Sequence, residues 1–152
     1  MTKQVHLIHS VHKSRLETAL RDGLKAASES DDLGLDMRRG VVYCWLRKED
    51  DKMSAGGQRP DYVHLQVTVD KSRCTVADME YSSLALMYRQ GHPTKPKNER
   101  ASALFAEIYQ VTSVPLSDYQ PGIFFTPEVL VKGDIAPECL RVLADQASGR
   151  GA

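Results

Sequence analysis

The clearest hydrophobic pattern in the chain lies at residues 62–70, where apolar and polar side chains alternate. A period of two is that of a β-strand with one buried face. The pattern therefore predicts a strand here, with His64 on the face opposite the apolar side chains. Those apolar side chains are Val63, Leu65, Val67 and Val69.

Shorter segments rich in β-branched and aromatic residues predict further strands. One lies near the start of the chain at residues 5–9, and one lies in its middle at residues 40–46. Two more are expected late in the chain, at residues 111–114 and 129–131. The chain is therefore expected to contain several short strands.

Four short helices are expected between and after these strands. The first follows Ser14, which with Glu17 fits a capping box, and it ends at Gly23. Apolar spacing predicts two more near residues 81–88 and 101–108, separated by a break at residues 91–96. A last one is expected to begin at Pro137, because proline is favoured at the first helical position.

The remaining segments, residues 26–39 and 47–60, are polar and predict loops, the second containing Gly56 and Gly57. Strands and helices are mixed without repeats or an interdomain linker. This order favours a single α+β domain over a doubly wound parallel sheet, and 152 residues suffice for one such core. The sequence lacks the glycine patterns of Rossmann and Walker turns, so any dinucleotide must be bound in another way.

The composition narrows the class of protein. Hydrophobic residues make up 41% and charged residues 26%, which is typical of a soluble globular protein. Lysine plus arginine equals aspartate plus glutamate at 20 each, whereas a dedicated duplex-DNA binder usually carries a basic excess. A nucleic acid would therefore need a local patch, and residues 89–100 are the candidate, although such a run is more often a solvated loop.

Cysteine usage and apolar runs indicate the compartment. The three cysteines, Cys44, Cys74 and Cys139, lack metal-ligand spacing and are expected to be reduced thiols. No apolar run approaches the roughly 20 residues of a membrane helix, and the N-terminus shows no apolar signal core. We therefore expect a cytoplasmic protein with no membrane partner.

Three separated segments carry the candidate chemistry. The first contains His9, Ser10 and His12 and precedes the helix that ends at Gly23. The second, residues 40–43, reads Gly-Val-Val-Tyr, with Arg47 just beyond it. The third, residues 127–135, reads Pro-Glu-Val-Leu-Val-Lys-Gly-Asp-Ile.

Taken in order, these segments resemble those of the DarT-like ADP-ribosyltransferases. That family opens on His-x-Thr-His before a helix ending in Gly-Leu, continues with a Gly-Val-Tyr strand, and closes on Ala-Glu-(apolar)-Leu-Val-x-Gly-x-Ile. Residues 76–81 resemble the Asp-led entry to its central helix. Here Val11 replaces the threonine, and the chain is short for the family. The resemblance implies one domain over residues 1–152, an α+β split β-sandwich with short flanking helices.

The resemblance also implies an enzyme that uses NAD⁺ as co-substrate and transfers its ADP-ribose to a macromolecule. Cleavage of the nicotinamide–ribose bond passes through an oxocarbenium-like state, which a carboxylate can stabilise. Glu128 corresponds to the catalytic glutamate of the family. Without the resemblance, a glutamate at the start of a strand is expected to face solvent.

The first and second segments would supply the NAD⁺ contacts. The resemblance assigns His9, Ser10 and His12 to the cofactor, and Tyr43 could stack on the cationic nicotinamide ring. Arg47 could pair with the pyrophosphate or orient the catalytic carboxylate. The ordinary interpretations are a core histidine, a core tyrosine and a solvated arginine.

The family suggests the partners and the alternatives. The acceptor would be single-stranded DNA or a protein, and a toxin of this kind would have an antitoxin partner. One alternative is a catalytically inactive member that binds NAD⁺, ADP-ribose or a nucleic acid. Another is an RNA 2′-phosphotransferase, which shares the fold and also uses NAD⁺.

Overall fold

A computed structural model describes residues 3–27, 33–51 and 60–143. Within these ranges the chain forms seven β-strands and three α-helices. The strands are β1 (Gln4–His12), β2 (Val41–Cys44), β3 (Tyr62–Asp70), β4 (Cys74–Asp78), β5 (Val114–Pro115), β6 (Pro127–Lys132) and β7 (Leu140–Val142). The helices are α1 (Lys13–Asp22), α2 (Met79–Gln90) and α3 (Glu99–Thr112).

The strands form two antiparallel sheets. The first has the order β1-β3-β7 and the second the order β2-β6-β4-β5. A backbone bridge joins the sheets: Ile8 and Trp45 exchange N–H···O bonds of 2.8 and 2.7 Å. The fold is therefore mixed α+β, as the order of elements predicted.

Alternate residues of the second sheet enter two different cores. Val129 packs with Leu65 of the first sheet. Its neighbour Leu130 packs instead with Ala85 of α2 and Tyr109 of α3. Since successive side chains of a strand point to opposite faces, the second sheet lies between the first sheet and the helical pair. Even and odd residues of β6 consequently face different surroundings.

The strand at residues 62–70 has the bounds that the alternating pattern predicts. Leu65, Val67 and Val69 are buried in the core between the sheets. His64 lies on the opposite face yet is also buried, and its Nε2 is 3.1 Å from a carboxylate oxygen of Asp51. The loop after β2 thus covers a face that polar residues alone would leave to solvent.

The first helix begins differently from the prediction. Its N-cap is His12, whose ring Nδ1 accepts the Ser14 N–H at 3.1 Å, so the capping box of Ser14 and Glu17 is wrong. The reason is that β1 continues to His12, which places the cap before Ser14. The end at Gly23 is confirmed, with φ of 83°. A Cβ there would lie 2.2 Å from the Ile135 carbonyl oxygen.

Three further differences lie in the second half of the described chain. Strand β4 was not predicted; its Val76 and Ala77 are both fully buried, which removes the alternation that identifies a half-exposed strand. Residues 111–112 close α3 and do not form a strand. Pro137 begins a three-residue 3₁₀ turn before β7 and not an α-helix.

Two of the predicted loop features fall on residues that are not described. Gly56 and Gly57 lie outside the described residues, as do residues 28–32. Among the described residues, no helix combines the length and the apolar character needed to cross a bilayer.

Candidate functional site

His9 and Tyr43, 34 residues apart, meet where the two sheets join. The His9 ring Nδ1 is 2.6 Å from the Tyr43 carbonyl oxygen. A carbonyl oxygen only accepts hydrogen bonds, so Nδ1 carries the proton and Nε2 is left as an acceptor. Burial lowers the pKa of His9 below its ordinary value, partly opposed by this hydrogen bond and by the Asp51 carboxylate. The imidazole is therefore neutral near pH 7.

Both residues line one cleft, which has a volume of about 570 Å³ and lies between α1 and β2. Ala19, Leu24 and Val42 give the cleft an apolar wall. A volume of this size falls within the range of small-molecule sites, roughly 300–1,000 Å³. The geometry defines a candidate site for a ligand with an aromatic group.

A second cleft, of about 560 Å³, adjoins the first and shares His9, Val11 and Arg15 with it. Its other lining residues are polar or aromatic: Ser10, His12, Ser14 and Tyr62. The two clefts therefore lie next to each other at the end of β1 and the start of α1.

Glu128, the second residue of β6, lines neither of these two clefts. Its side chain is 4% exposed. The carboxylate Oε2 accepts hydrogen bonds from Arg38 Nη1 at 2.8 Å and from the Tyr109 hydroxyl at 2.6 Å. Arg38 Nη1 also donates to the Tyr109 hydroxyl oxygen at 2.7 Å. We call this triangle of Arg38, Tyr109 and Glu128 the buried network.

The buried network compensates the Glu128 carboxylate for its loss of contact with water. An ionised carboxylate in the interior is costly unless it is paired and hydrogen-bonded, and Arg38 and Tyr109 supply both. Burial raises the pKa of the Tyr109 hydroxyl, and the negative charge of Glu128 raises it further. The hydroxyl therefore stays protonated and donates its hydrogen bond to Glu128.

Arg38 connects the buried network to the first cleft. Its guanidinium carbon lies 4.7 Å from the centre of the Tyr43 ring and 5.2 Å from that of Tyr109. The Tyr43 hydroxyl donates to the Arg38 carbonyl at 3.3 Å. The contacts thus run without interruption from His9 through Tyr43 and Arg38 to Glu128. The three residues singled out in separate segments of the sequence belong to one connected arrangement.

Arg47 occupies a different place from these residues. Its guanidinium pairs with Asp50 at 3.1 Å, is 71% exposed, and lines another cleft beside Phe124 and Phe125. The chain turns at Trp45 to meet β1, which carries Arg47 away from Glu128. The structure therefore does not bring Arg47 to the carboxylate, and the arginine that contacts Glu128 is Arg38.

The polar residues of the first segment separate from one another. The Ser10 hydroxyl donates to the Asp51 carboxylate, whereas the His12 ring caps α1 and meets the Tyr62 ring edge-on at 5.3 Å. Both line the second cleft. The structure thus places His9 in both clefts and confines Ser10 and His12 to the second.

Sequence reasoning missed Arg38 and Tyr109. Arg38 lies in a predicted polar loop next to Arg39, and only Arg38 turns inward. Tyr109 lies on α3 at a position that apolar spacing assigns simply to the core. Their contacts with Glu128 span 90 and 19 residues, and no local pattern reports contacts of that kind.

The cysteine thiols and the possible metal ligands are further candidate reactive groups besides the residues of the clefts. Burial raises the pKa of the Cys74 thiol to about 11 and also raises the pKa of Cys44. Both thiols therefore stay protonated, and a thiolate nucleophile is not expected from them. Within the described ranges, no three histidine, cysteine, aspartate or glutamate side chains group as a metal site would require.

The basic segment forms a separate feature of the surface. Arg89 and Lys97 line a cleft of about 560 Å³ together with Glu99. None of the residues that line this cleft also lines either of the two clefts at His9.

Comparison with protein-family models, with curated proteins and with solved structures found no match for this chain.

Proposed function

We propose that this domain binds NAD⁺ at the His9–Tyr43 cleft and transfers its ADP-ribose to a macromolecule, as an ADP-ribosyltransferase-like split β-sandwich. One observation carries the proposal: His9, Tyr43 and Glu128, taken from three distant segments, are linked through Arg38 by continuous contacts. A domain in which these side chains lay on unrelated surfaces would not support it.

The first cleft suits the nicotinamide half of the ligand. A cationic ring placed against Tyr43 gains about 0.5–2 kcal/mol from the aromatic face. His9 Nε2 can accept a hydrogen bond from the carboxamide N–H or from a ribose hydroxyl, since burial keeps the imidazole neutral. Within the described chain, the His9 ring has no hydrogen bond besides the one to Tyr43.

Glu128 would supply the carboxylate of the reaction. As the bond between nicotinamide and the ribose carbon breaks, its electron pair neutralises the nicotinamide nitrogen, and positive charge develops on the ribose. The carboxylate stabilises that charge, and a nucleophilic oxygen or nitrogen of the acceptor then bonds to the same carbon. The proton lost by the nucleophile passes to Glu128.

This role requires access that the observed packing restricts. Glu128 is separated from the first cleft by Arg38 and the Tyr43 ring. We therefore infer that the Tyr43 ring moves when NAD⁺ binds, which frees Arg38 to turn and opens the carboxylate to the ribose. Arg38 then orients Glu128, which was one of the two roles expected of Arg47.

The test compares NAD⁺ binding with nicotinamide release for the wild-type protein and for Glu128→Gln. We expect both variants to bind NAD⁺, and the substitution to slow nicotinamide release about 100-fold or more. Glu138→Gln, at an exposed position, is the matched control and should behave as the wild type. A Glu128→Gln protein with unchanged release would contradict the role of Glu128.

Labelled NAD⁺ with single-stranded DNA oligonucleotides or cell lysate identifies the acceptor class. Modified DNA supports a base as acceptor, and modified protein supports a side chain. Expression toxicity that Glu128→Gln relieves would support a toxin with an antitoxin partner.

A second candidate is a catalytically inactive domain that binds NAD⁺ or ADP-ribose. The observation that favours it is the saturation of Glu128 by Arg38 and Tyr109 at 4% exposure. NAD⁺ binding to the wild-type protein without nicotinamide release would select this candidate. Absence of binding to both NAD⁺ and ADP-ribose would rule out both candidates.

A further inference from the structure

The two adjoining clefts differ in character but share one cation. The first is mostly apolar and contains Tyr43, while the second is polar and contains Tyr62. Arg15, in the first turn of α1, lines both. His9 also lines both, but it is neutral because burial lowers its pKa. Arg15 therefore supplies the positive charge at the junction.

The guanidinium of Arg15 is exposed and available to a ligand. Within the described part of the chain it forms no ion pair. By contrast, Arg21 on the same helix pairs with Asp22 at 3.0 Å, and Lys25 of the first cleft lies 3.9 Å from an Asp134 oxygen. Arg15 thus differs from the neighbouring cations in having no carboxylate to compete with.

A dinucleotide matches this arrangement. It consists of two base–ribose halves joined by a diphosphate, whose two negative charges lie between the halves. Arginine is well suited to phosphate because its planar guanidinium can form two parallel, charge-assisted hydrogen bonds. Arg15 lines both clefts, so the cationic group lies between the cleft with Tyr43 and the cleft with Tyr62, as the diphosphate lies between the two halves of the ligand.

We propose that Arg15 binds the diphosphate of NAD⁺, with the nicotinamide half in the first cleft and the adenosine half in the second. This inference rests on the proposed function and adds the orientation of the ligand. Tyr62 then provides an aromatic surface for adenine, and the hydroxyls of Ser10 and Ser14 lie in the cleft that receives the adenosine ribose.

Calorimetric titration of the full chain with NAD⁺ and with ADP-ribose tests the proposal. Arg15→Gln should weaken the binding of both ligands by about 10- to 100-fold, the range expected for lost hydrogen bonds to a charged group. It should also flatten the dependence of affinity on salt concentration, since a charge–charge contact is screened. Arg21→Gln, on the same helix, is the control and should leave both affinities unchanged.

The outcomes separate this inference from the proposed function. If the wild-type protein binds NAD⁺ and Arg15→Gln binds it equally well, the position of the diphosphate is wrong and the proposed function stands. If the wild-type protein binds neither NAD⁺ nor ADP-ribose, both fail. Thermal unfolding of the two variants provides a check on folding, and no change is expected because both side chains are exposed.

Discussion

In the first cleft, the His9 ring donates one hydrogen bond to a backbone carbonyl and keeps its other ring nitrogen available as an acceptor. In the buried network, by contrast, the Glu128 carboxylate accepts hydrogen bonds from Arg38 and Tyr109. The two regions are connected through Tyr43, which lines the first cleft and packs on Arg38 of the buried network. The two regions therefore differ in accessibility. The first cleft offers a ligand the acceptor nitrogen of His9, whereas the Glu128 carboxylate of the buried network is enclosed by protein.

The contrast separates binding from chemistry. A ligand can use the His9 acceptor without rearrangement, but a reaction at Glu128 requires the Tyr43 ring to move and the buried network to open. A buried ion pair is also weak evidence for stability by itself, because desolvation offsets much of the attraction. Arg38 and Tyr109 hold the Glu128 carboxylate in place against this cost.

The largest effect is expected from removing one charge of the buried network. Arg38→Met leaves the Glu128 carboxylate buried without its cation, which should lower the free energy of unfolding by about 3–5 kcal/mol. Urea denaturation followed by circular dichroism measures the loss.

The double variant Arg38→Met/Glu128→Leu sharpens the same comparison. With both charges gone and apolar volume in their place, much of the lost stability should return. Arg47→Met removes an exposed guanidinium paired with Asp50 and should cause a far smaller loss. Equal losses for Arg38→Met and Arg47→Met would show that the buried network is not special.

An intermediate effect is expected from the hydroxyl of Tyr109. Tyr109→Phe removes one donor to Glu128 while the ring stays in the core, and should cost about 1–3 kcal/mol. Tyr119→Phe is the matched control: its ring packs on Phe124 at 5.2 Å, and its hydroxyl forms no hydrogen bond within the described chain. The same urea titration compares the two, and similar midpoints would refute the role of the Tyr109 hydroxyl.

The smallest effect is expected from the protonation of His9. Because burial lowers its pKa in the folded state, the unfolded chain takes up this proton first, from about pH 6.5 downward. The free energy of unfolding should therefore fall as the pH is lowered from there towards the pKa of the folded state, and this contribution is complete above pH 6.5.

His9→Gln should make this fall shallower, measured by urea denaturation across about pH 5 to 8. His6→Gln, at an exposed position on the same strand, serves as the control. A pH dependence that His9→Gln leaves unchanged would mean that the cleft histidine is not the group that titrates.

Some features of the fold followed from local patterns alone. The strand at residues 62–70 and the helix end at Gly23 have the bounds that alternation and a glycine stop predict. The alternation is local because successive side chains of a strand face opposite sides. Strand β4 was not predicted because both its faces are buried, which removes the contrast between polar and apolar positions.

The candidate site was only partly predictable. The segments around His9, Tyr43 and Glu128 were identified by resemblance, and the structure links them. Arg47 was expected either to pair with the pyrophosphate or to orient Glu128, but the arginine that contacts Glu128 is Arg38. Nothing in the sequence distinguishes Arg38 from Arg39. The two arginines differ only in which way a short 3₁₀ turn directs them.

The sequence by itself determined the strand at residues 62–70, the end of α1 at Gly23 and the approximate positions of α2 and α3, because hydrophobic period and glycine act over a few residues. Only the tertiary structure decided that Glu128 is closed by Arg38 and Tyr109 while His9 keeps an acceptor. Those contacts join residues up to 90 positions apart, and they depend on the register of β2 against β6 and on the helices packed over one face of that sheet.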